Sequence, residues 1–465
     1  MNNPMTFAKN FTNESFLSKS LLFNKKEKLE DKEENHLGNT CVIINSGSDM
    51  SISNEQQEQQ EVLVISNESA ELVFPNEKID KYDYGLSLNI IKSVLGMGIL
   101  GITYTFKQSG YFYFIFMLLL SVLTGYNAVN IGKFITEFKK LEKYKDIHMT
   151  YFNISEEIFG TKMKRFTQVI WSIEIISCCI LIINLSFTFL NQLFDLTDSI
   201  YLLSAMILFF YCITFIKNYD KIKFLSILGL CAVFLLFCFI LFNLINDLCH
   251  DNLPENEHKP FDYRDLPKSI AITLFSFGGH VIFPEIFSSI KNTKKLQKNI
   301  ICTWTVFTIF VTCFVFTSFI LFGDSISENI INNLNQSFWF KKIIITLLLL
   351  NIIFTFPLMF TPLNLRIILN IKNLKINESF KKFLYKYFIR FCLIVIICII
   401  GSYWKSYLNI MSVVGGLLEN TTSIILPSMF SLKFLKLNLF EKIINILIIE
   451  FGLILMAFTI FNCFY

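Results

Sequence analysis

From about residue 84 to the end, long apolar runs alternate with short polar connections, whereas residues 1–83 contain no long apolar run. Runs near the roughly 20 residues that cross a hydrocarbon core fall at 85–105, 110–135, 166–190, 199–216, 222–246, 268–290, 299–322, 341–368, 384–404, 407–432 and 439–462. Eleven membrane helices are therefore predicted, the ninth being the most eroded because Lys386 and Arg390 cut into its apolar core. The leading 83 residues are rich in Asn, Ser, Glu, Gln and Lys and carry the polar run 53–61. Such a stretch cannot bury enough apolar surface to offset chain entropy. The expected division is a disordered cytoplasmic tail at 1–83 and a transmembrane unit at 84–464, with no removable signal peptide read at the start.

Two runs are interrupted. In the first, Gly96, Gly98 and Gly101 fall where a membrane helix should be continuous, one turn after Lys92. In the sixth, Gly278 and Gly279 are followed at once by His280 and then by Pro284 and Glu285. A broken helix survives in lipid only where it is packed in protein or lines water. A glycine-rich helix crossing would account for Gly278 and Gly279 but not for the histidine beside them. The two interrupted runs lie five segments apart and so run in opposite directions. That spacing predicts an all-α polytopic membrane protein with two inverted repeats of five segments, broken helices one and six, and one extra C-terminal helix. Free amides at one half-helix end suit a carboxylate, and free carbonyls at the other suit an ammonium or a cation. A zwitterion satisfies both.

Composition agrees: 53% of residues are hydrophobic and mean hydropathy is +0.52, which excludes an ordinary soluble domain. Charge reports orientation. Roughly two dozen lysines and arginines lie in alternate connections, against about seven in the others, which puts the N-terminus in the cytoplasm and the C-terminus on the extracellular or lumenal side. The acidic connection near 246–268 fits that far side. No basic nucleic-acid patch occurs, and the cysteines lie mostly within apolar runs with no C-x-x-C pair, which argues against zinc or redox chemistry. No cofactor or metal is expected.

Charges inside spanning segments are costly and usually face a cavity. Here they are Lys92, Glu174, His280, Glu285, Glu419 and Glu450. Glu174 reads either as a proton carrier or cation partner or as a structural hydrogen-bonding group, and Glu450 as a lone carboxylate near a helix contact. No nucleotide-binding glycine loop, metal cluster or Ser/His/Asp arrangement is found, so an enzyme is not expected.

Residues 92–104 (KSVLGMGILGITY) with Gly110, 275–284 (FSFGGHVIFP), 357–362 (PLMFTP), and 413–416 (VVGG) with Pro427 together resemble the amino acid/auxin permease family over about 84–464. The Gly-His-x-x-Phe-Pro signature is similar to the vacuolar and vesicular branches. The resemblance implies an eleven-segment carrier with alternating access that moves amino acids with protons or sodium. It implies substrate held by main-chain groups at Gly96, Met97, Gly98, Phe277, Gly278 and Gly279. In sodium-coupled members an asparagine one turn before the first glycine and a threonine two residues before the eighth-segment proline bind the ion. Thr355 matches the threonine, but Lys92 stands at the asparagine position. A sodium ion beside an ammonium would meet like-charge repulsion, so coupling to protons, or no coupling, is expected. Lys92 and His280 are the rival proton switches, and Lys92 snorkelling to the interface is the third reading. The coupling candidates are thus Lys92, His280, Thr355 and Glu174. The expected partners are an amino acid, protons and the lipid bilayer, in a vacuolar, lysosome-like or plasma membrane. A sensor using the same pocket without net transport is the alternative.

Overall fold

The computed structural model describes residues 86–87, 90–91, 94, 98–144, 149–194, 200–215, 219–250, 260–288, 290, 293–333, 338–372, 379–404 and 406–464. All lie within one compact unit, Glu55–Tyr465. The tail at 1–83 lies outside the described residues.

The described residues form helices joined by turns and short irregular stretches, with no strand among them. Among the described residues, eight helices are long and apolar enough to cross a membrane: Tyr113–Lys139, Thr161–Phe194, Leu230–Cys249, Leu266–Ser288, Leu296–Ser325, Lys341–Asn364, Tyr407–Phe434 and Leu439–Asn462. They coincide with the second, third, fifth to eighth, tenth and eleventh apolar runs. The fourth and ninth runs form shorter apolar helices, Ile200–Ile213 and Tyr387–Tyr403. At about 1.5 Å per residue, the 14 residues of Ile200–Ile213 reach only about 21 Å of a roughly 30 Å core. The first run is helical in pieces, including Ile99–Ile102 and Tyr104–Ser109.

The sixth segment is the structural axis. Its first half, Leu266–Ser276, is a helix buried from Ser269 to Ser276. The chain then leaves the helix at Phe277, passes through Gly279 at φ 106°, and resumes in a short 3-10 turn, His280–Ile282, and the helix Phe283–Ser288. Such a positive φ is open to glycine and costly for other residues.

Both ends of this segment are tied to its neighbours. At one end Ser109 Oγ donates to Ser269 Oγ at 2.8 Å, the hydroxyls of Tyr113 and Thr273 meet at 2.6 Å, and Asp262 N–H donates to Ser109 O. At the other, Lys139 Nζ donates to Ser288 O and Ile290 O at 2.6 and 2.7 Å. A cation there satisfies carbonyls that the helix end leaves free.

The tenth segment departs from the α-helix differently. Tyr407–Val413 is α-helical, Val414–Ile425 is a π-helix of 12 residues, and Leu426–Phe434 is α-helical again. Gly415 and Gly416 let this wide stretch approach both sides: a Cβ on Gly415 would lie 1.9 Å from Ala271 O, and one on Gly416 would lie 2.2 Å from Thr459 Oγ1.

One element was not expected. The connection after the second segment contains the helix Tyr151–Phe159, whose N-cap Thr150 Oγ1 accepts from Asn153 N–H and whose end turns at Gly160, φ 87°. It buries Tyr151, Phe152, Ile154, Ser155 and Ile158.

Candidate functional site

The first segment meets the sixth directly at Gly98. Ser276 Oγ donates to Gly98 O at 3.1 Å and to Ile272 O at 2.8 Å. A Cβ at Gly98 would stand 2.4 Å from Ser276 Cα, so only glycine permits this approach. Lys92, Gly96 and Met97 lie outside the described residues.

On the sixth segment, Phe277 is fully buried and packs edge-on against Phe307, centroids 5.6 Å apart. Gly278 and Gly279 face the tenth segment. There Glu419, only 3% exposed, projects from the π-helix into the notch that Gly278 leaves. A Cβ on Gly278 would lie 2.4 Å from Glu419 Cδ, and Glu419 Oε1 accepts the Gly279 N–H at 3.0 Å. The break frees a main-chain donor, and a buried carboxyl takes it. Hydrogen bonds with an ionised partner are the stronger kind.

His280 closes the same cluster. Its ring is fully buried between Phe283 and Trp304, with centroid distances of 4.7 and 5.6 Å. Trp304 is held in turn by donating Nε1–H to Ser121 O at 2.9 Å. His280 Nε2 lies 2.9 Å from Thr124 O. A carbonyl can only accept, so Nε2 carries the ring hydrogen. Nδ1 has no hydrogen-bond partner and points at Glu419 Oε1, 3.6 Å away.

Glu174 enters from the third segment, fully buried. Its Oε1 accepts from Thr422 Oγ1 at 3.1 Å, its Oε2 has no hydrogen-bond partner, and it lies within electrostatic reach of Glu419. Thr422 and Glu419 sit three residues apart on the π-helix, and together they bring Glu174 to the break.

The carbonyls around this cluster are served by side chains. Asn127 Nδ2 donates to Ser423 O at 2.8 Å and Ile424 O at 3.2 Å, Tyr151 Oη–H donates to Thr422 O at 2.5 Å, and Asn420 Nδ2 donates to Gly452 O at 2.7 Å. Thr355 stands apart from this pattern: it is buried, and its hydroxyl donates to Asn351 O at 2.8 Å within its own helix. That helix, Phe338–Lys372, runs on through Pro357 and Pro362.

The structure thus joins Gly98 to the sixth segment and gathers Gly278, Gly279, His280 and Glu174 around Glu419. Sequence reasoning counted Glu419 among the intramembrane charges without giving it a role. The signal available was its company: an acid in an apolar run, just after Gly415 and Gly416 and just before Asn420, Thr421, Thr422 and Ser423.

Fold and site together define a polytopic integral membrane protein built around a broken helix and a buried polar cluster. The chain belongs to the transmembrane amino acid transporter protein family, whose family model matches residues 85–465. Its relatives include two amino acid transporters of Arabidopsis thaliana. AVT1D is 22% identical, with 79% of this chain and 66% of the relative covered, and AVT1I is 23% identical, with 82% and 94% covered. The chain spans a little under two thirds of the lengths of AVT1D and AVT1C, 66% and 61%. Among solved structures, a substrate-bound, outward-open sodium-coupled sialic acid symporter aligns at a TM-score of 0.48 and 12% identity, covering 82% of this chain and 86% of that one.

Proposed function

We propose that the protein is a secondary transporter that moves amino acids across a membrane by alternating access, coupled to protons or uncoupled rather than coupled to sodium. The observation that carries the reading is the sixth-segment break, where a membrane helix opens beside Gly98 and presents a main-chain donor to a buried polar cluster. Family membership supports the substrate class. An amino acid's carboxylate and ammonium match the free amides and carbonyls of two half-helices.

In this reading the substrate is held by Gly96, Met97, Gly98, Phe277, Gly278 and Gly279. Coupling falls to the titratable groups around them, with Lys92, His280, Thr355 and Glu174 as the candidates. Thr355 is buried and donates its hydroxyl hydrogen to Asn351 O, which leaves the oxygen's lone pairs for a ligand. The argument against sodium rests on Lys92 standing at a sodium-ligand position. Segments one to ten form two inverted five-segment repeats, with the transporter unit at 84–464. The N-terminus is cytoplasmic, the C-terminus is extracellular or lumenal, and an acidic vacuole-like membrane is the favoured location.

Uptake into proteoliposomes of a labelled mixture of the proteinogenic amino acids tests this. Accumulation driven by an imposed pH gradient, or counterflow without one, is expected. Sodium-driven accumulation would overturn the coupling argument. Binding without counterflow would replace the transporter with a sensor that uses the same pocket.

A further inference from the structure

The donor freed by the sixth-segment break already has a carboxyl partner supplied by the protein. Gly279 N–H donates to Glu419 Oε1 at 3.0 Å, and the same carboxyl lies against the Cα of Gly278. In the transport reading a main-chain amide freed at a half-helix is suited to the substrate's carboxylate. A side chain therefore brings to this amide the functional group that an amino acid would bring. We infer that Glu419 is a proton-controlled stand-in for the substrate carboxylate: it holds the Gly279 amide when ionised and yields it to substrate when it takes up a proton. This inference rests on the transport reading above.

Glu419 is surrounded by groups able to pass or share that proton. On the sixth segment, His280 directs an unpartnered Nδ1 at Oε1 from 3.6 Å, while Thr124 O fixes its hydrogen on Nε2. On the third segment, Glu174 takes a hydrogen bond from Thr422 and lies within electrostatic reach of Glu419, and Cys178 lies one turn further on. On the helix Tyr151–Phe159, Tyr151 is within electrostatic reach of both acids and gives its hydroxyl to Thr422 O. Lys92 of the first segment lies outside the described residues. Among the described residues no three His, Cys, Asp or Glu side chains converge closely enough to hold a metal ion. The occupant this cluster suits is a proton.

The step balances simply. A proton from water on the side to which the site opens forms an O–H bond on the Glu419 carboxylate and neutralises it. The Gly279 amide then faces a neutral acceptor, and a substrate carboxylate, which makes the stronger charge-assisted bond, replaces it. When substrate leaves, the amide recaptures Glu419, the O–H bond breaks and the proton passes to water on the other side. By linkage, proton uptake raises amino acid affinity and amino acid binding draws in a proton to the same degree.

The test uses the full-length protein in nanodiscs and measures retention of a labelled mixture of the proteinogenic amino acids across a pH series. Wild-type retention is expected to rise as pH falls, and binding in weakly buffered solution to take up protons, read with a pH-sensitive dye. Glu419→Gln, which cannot ionise, is expected to lose the pH dependence. Glu174→Gln is expected to keep the dependence with a shifted midpoint. A wild-type pH profile in Glu419→Gln, or wild-type binding with no proton uptake, overturns the inference while leaving transport intact. The dye measurement needs no variant, so a Glu419→Gln protein that fails to fold does not shield the idea. A wild-type protein that retains no amino acid at any pH sinks both this inference and the transport reading.

Discussion

Segments six and ten both leave the α-helix, but by opposite routes. The sixth unwinds: Phe277 and Gly279 abandon helical geometry, and a main-chain amide is left for a partner from elsewhere. The tenth widens: its π-helix stays helical for 12 residues, donors from two other elements, Asn127 and Tyr151, serve its carbonyls, and its own Asn420 serves Gly452 O of the last helix. The difference lies in what each presents. An unwound strand offers backbone to a passing ligand, whereas a widened helix stays closed and reorients a side chain, here Glu419. The eighth segment is a third case. Pro357 and Pro362 remove two donors, yet the helix continues through both, because proline in a membrane helix can be absorbed by local adjustment. Glycine opens the sixth segment where proline fails to open the eighth.

The seam between segments six and ten is where the comparison is most easily broken. Gly415→Ala puts a methyl 1.9 Å from Ala271 O, which is backbone and cannot swing aside. Overpacking of this kind costs about 3 kcal/mol or more at its upper end, so a large fall in the Tm of the detergent-solubilised protein is expected, with loss of amino acid uptake. An unchanged Tm would mean the two segments do not touch as described. Asn127→Ala comes next. It leaves Ser423 O and Ile424 O without their side-chain donor, for about 1–2 kcal/mol. If the Tm does not fall, the carbonyls of the tenth segment do not depend on being served and the contrast with the sixth weakens.

How much of this was legible depended on how local each cause is. The sixth-segment break was readable because Gly278, Gly279 and Pro284 act on their own backbone. Apolar run length placed most of the helices for a similar reason. The helix Tyr151–Phe159 was missed because it is short and carries Glu156 and Glu157, and it is stabilised by burying Tyr151 and Ile154 against distant residues. The π-helix at Val414–Ile425 has no local signature, since its carbonyls are satisfied by Asn127 and Tyr151 from far along the chain. The partnership of Glu419 with Gly279 spans 140 residues. Only a fold brings those two together, and so the acid was visible in the sequence while its role was not.

Thr422→Val sharpens the comparison at its polar end. The substitution keeps the side-chain shape and removes the donor to Glu174 Oε1, so the stability cost is near the membrane-protein average of about 0.6 kcal/mol. Its larger consequence is functional: Glu174 loses the contact that orients it toward Glu419. A shifted midpoint in the pH dependence of amino acid retention is expected, and an identical midpoint would remove Glu174 from the proton site.

Ser276→Ala should have the smallest effect, and the reason lies in how its hydroxyl is shared. The shorter bond, 2.8 Å, goes to Ile272 O in its own helix, and the longer, 3.1 Å, crosses to Gly98 O. Gly98 O also accepts from the N–H groups of Gly101 and Ile102 at 3.2 and 3.1 Å, so losing the serine leaves it partnered. Ile272 O is a helical carbonyl with its own main-chain donor. No buried group is orphaned, and the cost should be about 0.5 kcal/mol, at the low end for a hydrogen bond. Gly98→Ala, by contrast, drives a methyl to 2.4 Å from Ser276 Cα. A Tm that drops far more for Gly98→Ala than for Ser276→Ala would show that close backbone approach, rather than the hydroxyl, joins the two interrupted segments. Equal drops would assign that junction to the hydrogen bond instead.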